Sequence, residues 1–298
     1  MNEESIENIM KRRAYYYVIC AAVCWGIIGI FVKKLNSFGF GTIQIVFIRA
    51  FCAALSLIIY ILIKDRKIVK ISLCDFKYFV GTGWVSLVFF NCCYFIAIDK
   101  TSLSVAAILL YTSPTIVVIL SVILFKEKMT SKKIASLIMT FIGCILVTLS
   151  LQGTGNKITF IGILAGLGAG LGYALYSIFG MYALRKYDSI TVTLYTFIFA
   201  EIGLIPFINI KEIINLFSNS NAIYYSIVLG IISTALPFLL YTKGLTYLET
   251  SKASIITSLE PIVATIIGIV LFNEPITFLK IAGISVVVYA LFIIREIK

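Results

Sequence analysis

The chain has 298 residues, of which 60% are hydrophobic and only 13% charged, and its mean hydropathy is +1.04. Soluble domains carry roughly 45–50% apolar and about 25% charged residues, so a water-soluble globular fold is excluded and lipid becomes the solvent for most of the surface. The net charge of +11 sits in short basic clusters between apolar runs, which argues against nucleic acid and for loop charge beside a membrane.

A spanning helix needs about 20 mostly apolar residues. Ten segments qualify: 14–35, 42–63, 77–98, 102–125, 133–151, 158–181, 191–209, 223–243, 250–272 and 277–294. The first follows Lys11, Arg12 and Arg13; it is too long for a signal-peptide core and lacks a small-residue cleavage site, so it reads as a membrane helix. Trp25 and Gly26 lie within it. Arg49 is in the second segment, Asn91 and Tyr94 in the third, Tyr111 and Pro114 in the fourth. The fourth ends at Phe125, followed by Lys126, Glu127 and Lys128. In the sixth, Gly162, Gly166 and Gly170 recur at every fourth position beside Gly168 and Gly172, a pattern for close helix packing; Tyr173 and Tyr176 follow. The seventh holds Glu201, the eighth Tyr241 and Lys243, and the ninth Glu260 and Pro261. The links are too short for a soluble domain.

Charge distribution orients the chain. With the N-terminus inside, 18 of the 25 Lys and Arg fall on the inner side and six on the outer, including Lys133 and Lys280 respectively as loop charges. Both termini are therefore expected in the cytoplasm. The chain also repeats itself. Residues 104–134 align without gaps on 251–281, with 11 of 31 positions identical, among them Pro114/Pro261, Phe125/Phe272 and Glu127/Glu274. A weaker match pairs Trp25 with Tyr173 and Phe31 with Phe179. Each half holds five helices, and five is odd, so the second half enters the membrane from the opposite side, the repeat logic of many secondary transporters. The expected fold class is all-α integral membrane: ten transmembrane helices as two inverted five-helix repeats, over 14–150 and 158–295.

The second half carries Ser251–Ser254 (Ser-Lys-Ala-Ser), Glu260–Pro261 and the Glu274–Pro275 exit; the first has the matching Phe125–Lys128 exit and the Trp25–Gly26 pair. In these motifs the chain resembles the EamA domain of the drug/metabolite transporter superfamily, over nearly its whole length. The resemblance implies alternating access, both termini inside, and a cavity lined mainly by helices one, three, four, six, eight and nine. Trp25, Asn91, Tyr94, Tyr111, Tyr173, Tyr176 and Tyr241 fall on those helices and are candidate solute contacts beside Glu260. The seventh helix, with Glu201, is implied to lie outside the cavity. The substrate class stays open among amino acids, sugars, vitamins and nucleosides.

Charge inside a membrane costs about 2.5–3.5 kcal/mol per residue on insertion scales. Glu260 is ten residues into its segment, about 15 Å deep, and Pro261 disrupts the helix there. A carboxylate at a broken helix suits a solute or proton site; a structural carboxyl is the alternative. Glu201 and Arg49 are further coupling or gating candidates, with Pro114 and Pro261 as hinges. Arg49 either snorkels or pairs with an acid, and Lys243 snorkels. Glu127 and Glu274 are expected to cap the following turn or pair with a loop lysine. Seven Cys without a CxxC and no His give no metal site, and no nucleotide-binding motif occurs, so no cofactor is expected. The function that follows is a multi-pass secondary transporter of the cell membrane, moving a small solute of the amino-acid or a related class, as an exporter by one reading, with proton coupling at Glu260. A membrane-embedded enzyme or a sensor is the alternative, and oligomeric state is not readable.

Overall fold

The computed structural model describes residues 3–64, 70–149 and 159–295. Among them there are helices and no strand. Nine are long and apolar enough to cross a membrane: α1 (Asn8–Ser37), α2 (Thr42–Ile63), α3 (Leu73–Lys100), α4 (Val105–Phe125), α5 (Ser131–Leu149), α6 (Phe160–Leu184), α7 (Ser189–Phe207), α8 (Ser220–Leu245) and α9 (Thr250–Phe272); the tenth expected, α10 (Phe278–Ile294), is apolar but shorter. A helix at Ile210–Leu216 links α7 to α8. The helix that becomes α1 begins as early as Glu3, ahead of the expected start at 14. The expected domain limits 150 and 158 lie outside the described residues, as do Arg66, Lys67, Lys157 and Lys298 of the charge count.

These helices expose large apolar side chains such as Ile59, Ile123, Phe160, Val270 and Tyr289, as lipid-facing helices do. Several buried hydroxyls are satisfied within their own helix: Thr101 donates to Ala97 O at 2.5 Å, Ser226 to Ala222 O at 2.7 Å and Thr242 to Phe238 O at 2.9 Å. In lipid an unmade bond of this kind has no water to fall back on. The α6 glycines act as expected, in two rows. Gly162, Gly166 and Gly170 face Thr101, Leu109 and Thr112, while Gly168 and Gly172 face Cys93 and Phe90.

The two halves share their irregularities at an offset of 147 residues. α3 has a π-helical stretch at Gly81–Val88 and α8 one at Ile231–Ala235. α4 is broken between Leu103–Leu110 and Ser113–Phe125, and α9 between Thr250–Thr257 and Glu260–Phe272. Both end in a left-handed residue, Lys126 at φ 55° and Asn273 at φ 53°, closed by a bond from Glu127 N to Ser121 O and from Glu274 N to Gly268 O. A left-handed residue just past the last turn is a common way for a helix to end.

The repeats are inverted. Glu127, just past the end of α4, accepts hydrogen bonds from Thr250 and Ser251 at the start of α9, so the two helices run in opposite directions. Packing follows a two-fold relation: α1 lies on α8 as α3 lies on α6, and α2 packs on α7 and α5 on α10 across the pseudo-axis. At the α5–α10 seam, Ser136 Oγ donates to Ala290 O at 3.1 Å. The equivalent contact puts Gly143 against Gly283, where a Cβ on Gly283 would lie 2.7 Å from Gly143 O. Two counted loop charges need correction. Lys133 and Lys280 are only 2% exposed, because each ammonium folds back on a backbone carbonyl, of Lys128 at 2.9 Å and of Pro275 at 3.1 Å.

Candidate functional site

The breaks in α4 and α9 open onto one central cavity of about 270 Å³. Pro114 and Pro261 occupy the first turn of the second half-helices. A proline is tolerated there and not in a helix interior. Gly26 lets α1 approach the α9 break: a Cβ at that position would lie 2.5 Å from Val263 Cβ and 2.9 Å from Glu260 O. The Trp25–Gly26 pair thus places an indole at the cavity beside the break.

The structure brings Trp25, Asn91, Tyr94, Tyr111, Tyr173, Tyr176, Tyr241 and Glu260 around this cavity, and Arg49 with them. Glu260 is the first residue of the second half of α9. A carboxylate is favoured at a helix N-terminus by the partial positive charge there. Tyr173 Oη donates to Glu260 Oε2 at 3.2 Å. Arg49 neither snorkels away nor forms a pair: it lines the cavity, and among the described residues no carboxylate makes an ion pair with it. An arginine and a glutamate therefore border one small space, the glutamate holding the Tyr173 hydroxyl.

An aromatic floor lies below them. Trp25 meets Phe238 edge-on at 5.2 Å and Tyr241 at 5.5 Å, and Tyr176 meets Phe238 at 5.0 Å. Ser177 Oγ and Tyr241 Oη are 2.7 Å apart in a hydrogen bond. Asn91 spends one amide proton on Leu87 O at 2.7 Å. Phe238, Ser177, Ser86 and Phe90 also line the cavity and carry no sequence signal, since a Phe or Ser in an apolar helix looks like ordinary packing. Tyr94 and Tyr241 did carry one, because the two occupy equivalent positions of the repeat.

Three expected residues do not face the cavity. Pro114 and Pro261 are buried in the first turn of their half-helices and are not among the lining. Glu201 lies on α7 away from the lining, with Oε1 buried and without a hydrogen-bond partner among the described residues. Lys243 stands over the Tyr17 ring at 5.1 Å near the end of α8.

The lining of the cavity runs on towards one face of the molecule. Ile28, Val32, Thr42, Ile45 and Phe95 lead out to the face that holds the α1–α2 link, where Gly41, Gln44 and Asp99 edge a shallow vestibule. Towards the face that holds the N-terminus, Ala14, Val18, Leu245, Leu248, Ala253 and Ile256 pack into a continuous core.

The chain matches the model of the EamA-like transporter family twice, over residues 12–149 and 160–295. It is 27% identical to an uncharacterized transporter of Archaeoglobus fulgidus, over 82% of each chain. It is 28% identical to the uncharacterized transporter YxxF of Bacillus subtilis, over 87% of this chain and 82% of that one. It is 25% identical to the uncharacterized inner membrane transporter YicL of Salmonella typhimurium, over 84% of each. One solved crystal structure superposes with a TM-score of 0.79 at 14% identity, covering 94% of this chain and 95% of the other, which shows a common fold.

Proposed function

The chain belongs to the EamA-like transporter family, and on that premise we propose that it is a secondary transporter for a small zwitterion of the amino-acid class, working by alternating access. The observation that carries this reading is Arg49 and Glu260 lining one cavity without an ion pair between them. A guanidinium matches a solute carboxylate, and a carboxylate matches its ammonium. The surrounding aromatic rings and hydroxyls suit a partly apolar side chain. The cavity, at about 270 Å³, falls below the range for drug-sized ligands, about 300–1,000 Å³, which favours a small metabolite.

Both termini lie in the cytoplasm on this reading, from the bias of Lys and Arg, so the open side faces outward. Glu260 takes and releases the coupling proton: its neutral form crosses an apolar site at lower cost than its charged form. The broken α9 is where the carboxylate changes sides. Release of solute to the outside, as an exporter, agrees with the outward opening.

Transport of labelled amino acids into and out of proteoliposomes, with and without a proton gradient, tests the proposal. Glu260→Gln is expected to insert normally and lose concentrative transport. Arg49→Gln removes a charged hydrogen bond of about 1.5–3 kcal/mol, roughly 10- to 150-fold in apparent solute affinity. No gradient-driven movement of any zwitterion at normal protein yield would overturn it.

A further inference from the structure

The exit turns of α4 and α9 are built alike but engaged differently. Glu127 accepts from Thr250 N at 2.7 Å, from Ser251 N at 3.2 Å and from Ser251 Oγ. These groups open the first half of α9, and the residue before it, Glu249, makes no side-chain cap bond. Thr250 and Ser251 are fully buried. Lys133 stands behind this contact, 3.6 Å from Glu127 Oε2 and 2.9 Å from Glu249 Oε2. The cap therefore comes from the other repeat, 123 residues away.

At the opposite face the same parts are apart. Glu274 is 36% exposed and held by Lys280 at 3.0 Å. Leu103, equivalent to Thr250, is 58% exposed. The first half of α4 is capped by its own Ser102, which accepts from Val105 N at 3.2 Å. Engagement goes with packing: on the face where Glu127 is docked, side chains pack into a core beyond the cavity, and on the face where Glu274 is not, the cavity lining runs on into the vestibule.

We propose that Glu127 and Glu274 are reciprocal gate latches, each closing its own face by capping the broken helix of the other repeat. In the state described, Glu127 holds α9 and the N-terminal face is shut. In the alternate state Glu127 leaves Thr250 and Ser251, and Glu274 docks on the N–H groups of residues 103 and 104. The driving contact is a carboxylate at a helix N-terminus, favoured by both hydrogen bonding and the helix dipole. Only one latch is made at a time, so each biases the same two-state equilibrium in opposite directions. This deepens the alternating-access reading and rests on it.

The test needs no solute. In a cysteine-free background, Leu248→Cys reports opening of the N-terminal face and Val32→Cys reports opening of the other, each read by the rate of labelling with a membrane-impermeant maleimide. Glu127→Ala is expected to raise labelling at 248 by at least about tenfold and lower it at 32, as expected for a population shift in a two-state system. Glu274→Ala should not raise labelling at 248, and the double variant should return towards the parent. Ser251→Ala, which keeps the carboxylate, should shift labelling in the same direction as Glu127→Ala and by less; it serves as the readout if Glu127→Ala fails to fold. Unchanged labelling at 248 in both Glu127→Ala and Ser251→Ala would overturn the latch, as would equal increases from Glu127→Ala and Glu274→Ala. Reciprocal shifts in a protein that moves no zwitterion would keep the latches and remove the transport reading.

Discussion

The breaks in α4 and α9 are the same backbone event with different side chains. Each interrupts its helix four turns before the same left-handed exit, and each restarts it with a proline in the first turn. In α4 the restarting residue is Ser113, 2% exposed and turned into the fold. In α9 it is Glu260, facing the cavity and bonded by Tyr173. The shared backbone gives each repeat a break, and a carboxylate stands at only one of the two. The exit glutamates teach the complementary lesson. Glu127 and Glu274 have the same local frame but are 9% and 36% exposed, because Glu127 meets the start of a helix of the other repeat and Glu274 meets only Lys280. Side-chain identity separates the first pair; surroundings separate the second.

The two buried lysines break the comparison most sharply. Lys133→Met leaves the Glu127 carboxylate buried without its cation, and loss of one partner of a buried pair costs about 3–5 kcal/mol. Lys280→Met leaves Glu274 in reach of water, so the loss should be about 1 kcal/mol or less. Thermal unfolding of the two variants side by side in detergent checks this; equal losses would mean that the two faces are equally closed.

The seam between the repeats can be separated from packing within one of them. A Cβ on Gly143 would lie 2.5 Å from Val287 Cγ2 and 2.9 Å from Gly283 O, and the backbone on both sides cannot give way. Gly143→Leu is expected to cost about 1–3 kcal/mol. Gly180 has nothing within 4 Å of such a Cβ, so Gly180→Ala should gain about 0.5–1 kcal/mol from helix propensity. Melting temperatures that move the same way for both would refute the close contact at the seam.

The smallest effect concerns pH at the closed face. Burial works against the charge on Glu249, but Lys133 and Lys252 hold its carboxyl below the usual carboxylate range. A depressed carboxylate contributes stability above its unfolded pKa and loses it as pH falls through the folded value. Acidifying below about pH 5, near the usual carboxylate range, should lower the melting temperature of the parent more than that of Glu249→Gln. The difference is small because Glu249 is 40% exposed. Parallel curves would show that the pair adds nothing to closure.

Much of this was legible beforehand. Pro114 and Pro261, at one offset, marked both breaks, and Tyr94 and Tyr241 marked a shared wall of the cavity. Arg49 and Glu260 stood out because charge is scarce in apolar helices. The left-handed turns at Lys126 and Asn273 gave no comparable signal, since neither is the usual glycine. Lys133 and Lys280 counted as loop charges because nothing local shows a side chain folding back on a carbonyl. Glu127 and Glu274 were expected to cap the following turn or pair with a loop lysine; each pairs with its lysine, Lys133 and Lys280, and Glu127 in addition caps a helix of the other repeat.

Composition and the repeat determined by themselves that this chain lives in lipid, crosses it about ten times and turns its second half upside down. These are sums over local segments: apolar length sets each crossing, and an odd number of crossings per repeat sets the inversion. Which carboxylate meets which helix start, which lysine is buried, and which face of the cavity is open were decided only in the tertiary structure. Those outcomes depend on ångström distances between segments more than a hundred residues apart, and only the packing of the two repeats against each other sets them.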